Sequence, residues 1–415
     1  CICGTSLTRL TQGAFIAGFA KMMGMPEGII GMISAVPMLA NVLQLLGGIY
    51  FGNINQYKLP ACFGSLISRS LMGTVYFIPL LLANNTYQAA LLIFIYCIAY
   101  FLFAFLNPPI VNWIMELTPE SIRGQYFAKR EMFTMIIVAI GEIMMAQMLD
   151  YFKIQGIEKA GFIILGTIVM AWALVNFYSL SAVKEPIRPK KSRKRSIKKD
   201  LSSLLKDDNF KKLGKLYIIW NFALYIGMLY IPIYMIGNLQ RSYLYVMIMS
   251  MLTLTFRVLS ARVWGKFVER NLWARAIEMG AVLLGISTAL LFFANSATAL
   301  VILPIFHVLS GIAWGSIGIT FFNLQVMFAP EEERTLYIGT LASISGISGF
   351  TATVLSGFFI DRFTNIHILI AGFSVGNIQI IFLISGVLLA LAGIYVKKVI
   401  APMEKAKKSN ICPIS

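Results

Sequence analysis

The chain has 415 residues, of which 58% are hydrophobic and 13% charged, and it carries a formal net charge of +17. With a mean hydropathy of +0.77 it holds more apolar surface than a single water-soluble core of this length can hide, which excludes a soluble domain and makes the bilayer its solvent. A hydrocarbon core of ~30 Å is crossed by about 20 apolar residues in a helix.

In chain order the predicted spans are 4–22, 27–50, 61–83, 89–116, 131–151, 160–182, 213–236, 242–261, 274–294, 299–327, 336–360 and 376–397. Arg9 interrupts the first, and the chain opens on Cys1 rather than Met, so a short N-terminal piece is expected to precede it. In span 4, Pro108 and Pro109 follow Asn107 and remove two backbone donors, which predicts a kink. Pro186 and Pro189 stop span 6, and the strongly cationic stretch 183–212 divides the spans six and six. From Ile197 onward, Leu201, Leu204, Leu205 and Phe210 recur at helical spacing opposite Lys198, Lys199, Asp207 and Lys211. Two readings of that stretch stand: an amphipathic helix on the inner leaflet, or a solvated tether. In span 11, Gly339, Gly346, Gly349 and Gly357 permit close helix approach.

Lys and Arg gather on one side, in the loops after spans 2, 4, 8 and 10, in the central stretch and in the tail. The positive-inside rule makes that side cytoplasmic, so both termini are expected there. The basic excess is then a topology signal, and nucleic acid is not an expected partner. The five cysteines form no metal-ligand spacing, and there is no phosphate-binding G-x-x-x-x-G-K-[ST] loop. His307 and His367 lie on different elements without a nucleophile beside them. No enzyme, metal or cofactor is expected.

Ionisable residues inside spans are the sharpest lead, because each costs ~2.5–3.5 kcal/mol on insertion scales unless paired or wetted. Glu142 lies midway along span 5, and a carboxyl there that takes up and releases a proton would couple transport to a proton gradient. Arg9 in span 1 is its cationic counterpart, fit to hold an anionic solute group or to pair with Glu142. Gln12 shares its helix face. Arg69 in span 3 reads as a scaffold charge.

The halves repeat each other. The motif P-E-x-x-R-x-x-Y occurs at Pro119, Glu120, Arg123 and Tyr126, and again at Pro330, Glu331, Arg334 and Tyr337; Asn112 matches Asn323, and Asp150 matches Asp361. Gly265, Glu269 and Arg270 form a Gly-x-x-x-acid-Arg motif between spans 8 and 9, whereas the equivalent stretch around Gly48 and Asn53 lacks the acid and the Arg. Six spans, a basic loop, six spans and these repeated loops resemble the major facilitator superfamily over essentially the whole chain. The resemblance implies an all-α membrane protein of twelve helices in two pseudo-symmetric bundles: 1–182 and 213–400, a linker at 183–212 and a cytoplasmic tail at 401–415. It also implies secondary active transport of a small solute by alternating access, coupled to a proton or sodium ion, in a monomer embedded in the lipid bilayer. Because spans 1, 4, 7 and 10 line the centre in this family, Asn112, Trp220, Asn221, Trp314 and Asn323 join Arg9 and Gln12 as expected substrate contacts. Gly265, Glu269, Arg270, Arg123 and Arg334 are expected to gate the cytoplasmic face, Glu269 by accepting N–H bonds at a neighbouring helix start. Uptake and efflux both stand, as do two other readings: a lipid or amphiphile translocator, and a membrane sensor that kept the fold.

Overall fold

A computed structural model describes residues 2–185 and 202–411, apart from short breaks at 53, 55, 83, 119, 203, 331–333, 365–367 and 371–372. Among the described residues, eleven helices are long and apolar enough to cross a membrane. They account for every predicted span but the first, which is two shorter helices, α1 (Ile2–Leu10) and α2 (Gly13–Met22). This is the all-α, multi-pass architecture that the composition demands.

The chain divides into two compact units. The first comprises Cys1–Lys194 with Met235–Met247. Its helices are α1, α2, α3 (Glu27–Ala40), α4 (Val42–Gly52), α5 (Lys58–Thr74), α6 (Ile78–Leu81), α7 (Asn85–Glu116), α8 (Glu120–Ile154) and α9 (Glu158–Ser181). Helix α5 packs on α7 and α9, α4 packs on α7, and α1 packs on α8 and α9. Span 2 is interrupted at Asn41, whose side-chain oxygen accepts from Gln44 at 2.8 Å. Phe51, Tyr57, Leu106 and Trp113 form a buried aromatic and aliphatic core near one end.

The second unit comprises Arg195–Tyr234 and Ile248–Ser415. It contains α10 (Asp208–Tyr225), most of α11 (Tyr230–Gly237) and α12 (Tyr243–Arg270), then α13 (Trp273–Leu290), α14 (Ala299–Phe328), α15 (Arg334–Arg362), α16 (Asn377–Tyr395), a π turn at Val396–Ile400 and α17 (Ala401–Ile411). Helix α13 packs on α14 and α16, and α10 packs on α15 and α16. Predicted span 7 is also interrupted, at 226–229. A short antiparallel hairpin, β1 (Ile368–Ile370) with β2 (Phe373–Val375), pairs Leu369 with Ser374 in a stretch expected to be a loop.

The amphipathic helix expected from Ile197 lies largely outside the described residues. Toward α10 the chain turns inward. Leu204 and Phe210 are buried in the core of the second unit with Leu213 and Leu216 rather than facing lipid. Asp207 caps α10 by accepting from the Phe210 N–H at 2.6 Å. Large apolar side chains such as Phe94, Tyr178, Val263 and Phe358 remain exposed along the helices, as hydrocarbon-facing surfaces require.

Candidate functional site

In the first unit the first membrane helix is broken at Thr11–Gln12. The backbone of Gln12 is extended, and Gly13 follows at φ +58°, a left-handed conformation that glycine adopts without steric cost. A break at this depth frees carbonyls that lipid cannot hydrate, so protein donors must replace the lost helix bonds. Three tyrosines do so. Tyr76 donates to the Leu10 carbonyl at 2.7 Å, and Tyr96 donates to the Thr11 carbonyl at 2.7 Å. The Tyr100 hydroxyl meets the Thr11 carbonyl at 3.3 Å and the Thr11 Oγ1 at 2.8 Å. All three rings are fully buried. The Thr11 hydroxyl also donates back to the Leu7 carbonyl at 2.9 Å, and the Gln12 side chain reaches the Tyr100 hydroxyl.

Around this sealed interior the polar face stays open. Arg9 and Gly13 are exposed, and Gln12 is half-buried. The Arg9 guanidinium acts electrostatically on Glu142, which is half-buried on α8. Among the described residues no direct ion pair closes them together. An arginine and a glutamate of the first half thus lie within electrostatic reach of each other, and Gln12 lies one turn from Arg9. The Gln12 side chain makes no capping bond to the start of α2. This arrangement offers a cation, an amide and a carboxyl that can exchange a proton, mounted beside a fixed kink.

Arg69 is a different kind of charge. It is buried, and its guanidinium donates to Ser65 at 2.6 Å, donates to the Asn176 side-chain oxygen, and lies over the Phe103 ring at 5.9 Å. These contacts tie α5 to α7 and α9, the scaffold role expected of it.

The other expected contacts are distributed as follows. Asn112 is exposed on α7. In the second unit, Trp220 is buried edge-to-face against Trp314 at 6.5 Å between ring centroids and tilted against Phe321 at 5.0 Å. Asn221 is buried and donates to the Tyr217 carbonyl of its own helix at 2.7 Å. Asn323 and Trp314 are half-buried on α14, and Gln325 donates to the Tyr217 hydroxyl. The expected contacts of the second half therefore centre on an aromatic cluster of Trp220, Trp314 and Phe321. Gly265 is half-buried at the end of α12, with open space where a Cβ would stand, and Glu269 and Arg270 are exposed. The side chains of Arg123 and Arg334 lie outside the described residues.

Among the described residues, helix-capping carboxylates of the kind expected at Glu269 occur at three other places. Glu185 accepts from the Tyr57 and Lys58 N–H groups at 2.6 and 3.0 Å, at the start of α5. Glu404, fully buried, accepts from Trp273 and Ala274 at 3.0 and 2.8 Å, at the start of α13. Asp150 accepts from Tyr243 and Leu244, each at 2.8 Å, at the start of α12. Each satisfies orphan donors at a positive helix end. In the sequence such a cap is marked only by an acid near the end of an apolar span and such a tyrosine only by a hydroxyl within one, since a buried Tyr O–H needs a partner; neither says which backbone group it serves.

The profile of the family described as "Major Facilitator Superfamily" matches residues 1–353. No curated protein matches the chain. Among solved structures, a nucleoside transporter NupG mutant superposes with a TM-score of 0.71 at 13% identity, covering 95% of this chain and 98% of that one. The inward-open xylose transporter XylE from E. coli superposes at 0.66 and 17% identity, covering 96% and 94%. A bacterial homolog of the human lysosomal transporter Spinster gives 0.68 and 12%, covering 98% and 96%.

Proposed function

Because the chain belongs to the Major Facilitator Superfamily, we propose that this membrane transporter is a secondary active carrier that moves a small polar solute across the cell membrane by alternating access. The observation that carries the reading is the placement of Arg9, Gln12 and Glu142 around the break in the first membrane helix. A broken helix at membrane depth is tolerated where it serves a polar path, and intramembrane charges mark such paths. Arg9 holds an anionic group of the solute, and Gln12 orients it. Glu142 exchanges the coupling proton and senses whether Arg9 is occupied through their electrostatic contact. Solved relatives described as a nucleoside transporter and a D-xylose–proton symporter support a solute of that size and a proton as the coupling ion.

In the same proposal Asn112, Trp220, Asn221, Trp314 and Asn323 shape the rest of the path. Gly265, Glu269 and Arg270, with Arg123 and Arg334, gate its lysine-rich side. That side is the cytoplasm, and both termini lie there. The halves 1–182 and 213–400 move as bodies joined by the linker 183–212. The carrier works as a monomer without cofactor or metal.

The test is accumulation in proteoliposomes. Glu142→Gln keeps the size and polarity of the side chain but cannot release a proton. It should abolish gradient-driven accumulation while leaving solute exchange intact. Accumulation at the wild-type level would refute the coupling role.

A further inference from the structure

Where three uncharged runs of the sequence give way to charged residues, the second unit holds a cavity of about 460 Å³. The runs are 216–240, 299–330 and 371–396. The walls come from Lys212 near the start of α10, Phe328 at the end of α14, and Lys398, Pro402, Met403 and Lys407 along the π turn and α17. All three elements turn from uncharged to charged sequence around it, so the cavity lies at the depth where hydrocarbon gives way to headgroups.

Its charge is unbalanced. Lys212 is joined to Asp208 at 2.7 Å. Next to the wall lysines, Lys397 is joined to Glu278 at 3.6 Å and Lys408 to Glu404 at 2.9 Å. Lys398 and Lys407 meet no carboxylate among the described residues, and the nearby acids already serve other partners. Glu404 holds the start of α13. Asn209 adds one amide to the wall, and the rest is apolar, with Phe328 in the hydrophobic core and Met403 packed against it. The cavity thus combines cations that suit an anion with a wall that suits hydrocarbon.

We infer that this cavity binds the headgroup of an anionic phospholipid from the adjoining leaflet, its phosphate between Lys398 and Lys407 and its glycerol and first methylenes against Phe328 and Met403. A soluble phosphate ester would meet the same lysines, but it would leave the apolar wall wet. A choline or ethanolamine headgroup would bring its own ammonium against two free cations. The membrane is therefore the source, and a lipid with net negative charge is the class.

The experiment is native mass spectrometry of the full chain equilibrated with mixed phosphatidylglycerol and phosphatidylcholine, paired with thermal stability in the same lipids. Each lysine near an anionic headgroup changes binding by about fivefold. The double variant Lys398→Gln/Lys407→Gln should therefore lose phosphatidylglycerol preference by roughly tenfold or more, together with its thermal stabilisation. Lys398→Arg/Lys407→Arg, which keeps the charge, should retain both. Lys405→Gln, an exposed lysine of α17 outside the cavity wall, should change neither.

Three results would overturn the inference: the double Gln variant binding like the wild type, Lys405→Gln losing as much as the double variant, or glycerol phosphate alone giving the full stabilisation. The second would mean diffuse surface attraction, and the third a soluble ligand.

Discussion

The tyrosines that seal the helix break should be separable by the energy each contributes. Tyr76→Phe removes one hydroxyl and no packing volume. The Leu10 carbonyl has Tyr76 as its one hydroxyl donor among the described residues, at 2.7 Å. Losing it strands a buried acceptor, which costs about 1–3 kcal/mol, toward the upper end here. Tyr96→Phe should cost less, about 1 kcal/mol, because the Thr11 carbonyl keeps a second donor in Tyr100 at 3.3 Å. The double variant Tyr96→Phe/Tyr100→Phe removes both donors and should exceed the sum of its singles, as expected for residues sharing one partner.

The chain carries its own reporters. Cys62 is a free, buried thiol and Cys97 a free, half-buried one, so a thiol-reactive fluorophore reads unfolding once Cys1, Cys3 and Cys412 are replaced by Ser. The expected order of midpoints is wild type, then Tyr96→Phe, then Tyr76→Phe, with Tyr96→Phe/Tyr100→Phe below the additive value. Equal midpoints for wild type and Tyr76→Phe, or strict additivity in the double variant, would refute the claim that these hydroxyls stand in for lost helix bonds.

Three other perturbations test separate parts of the structure. Arg9→Ala should weaken solute binding at least tenfold while leaving expression and the melting midpoint near wild type, since the side chain is exposed; equal affinity by isothermal titration would remove Arg9 from the site. Glu404→Ala leaves two N–H groups at the start of α13 without their acceptor and should cost about 2–4 kcal/mol, with Glu404→Gln intermediate. An unchanged midpoint for Glu404→Ala would show that water replaces the carboxylate there. Asn176→Leu strips the buried Arg69 of a side-chain acceptor and should destabilise more than Ser179→Ala on the same helix, whose hydroxyl bonds its own helix from an exposed position; comparable thermal midpoints would count against Arg69 as a scaffold charge.

The membrane class and eleven of the twelve spans were legible because hydrocarbon imposes length and apolarity on each segment separately. Arg69 was legible as scaffold because a guanidinium in a span must find acceptors, and Asn176 supplies one. The break at Thr11–Gln12 was not. Thr-Gln-Gly contains no proline, and a hydropathy window averages over it. What sustains the break is three hydroxyls arriving from residues 76, 96 and 100, a long-range arrangement without local pattern. The capping carboxylates were hidden for the same reason. Glu185 serves the backbone of Tyr57 and Lys58 across more than a hundred residues of intervening chain. In the second half, Trp220 and Asn221 looked like ligand contacts by position. Trp220 also packs among aromatic rings and Asn221 also donates to its own helix, contacts compatible with a place on the path that only the packing reveals.

The internal repeat makes the polarity of the first half more telling. The opening membrane helix of each half is broken, at Thr11–Gln12 in one and at 226–229 in the other. Both breaks are sealed by hydroxyls, as a bilayer demands. In the second half Ser385 donates to the Ala223 carbonyl at 2.7 Å and Thr353 to the Tyr225 carbonyl at 2.9 Å. Gly227 is required there because a Cβ would stand 2.9 Å from the Ser385 Cβ. Backbone shape alone therefore does not explain why only one break carries charge. Ile226, Gly227, Met228 and Leu229 are all apolar or bare, whereas Arg9, Gln12 and Glu142 surround the other. A kink needed only for packing or motion would be served equally well by either version. Under the proposed function, the solute and proton chemistry assigned to Arg9, Gln12 and Glu142 is what would distinguish the first break from the second.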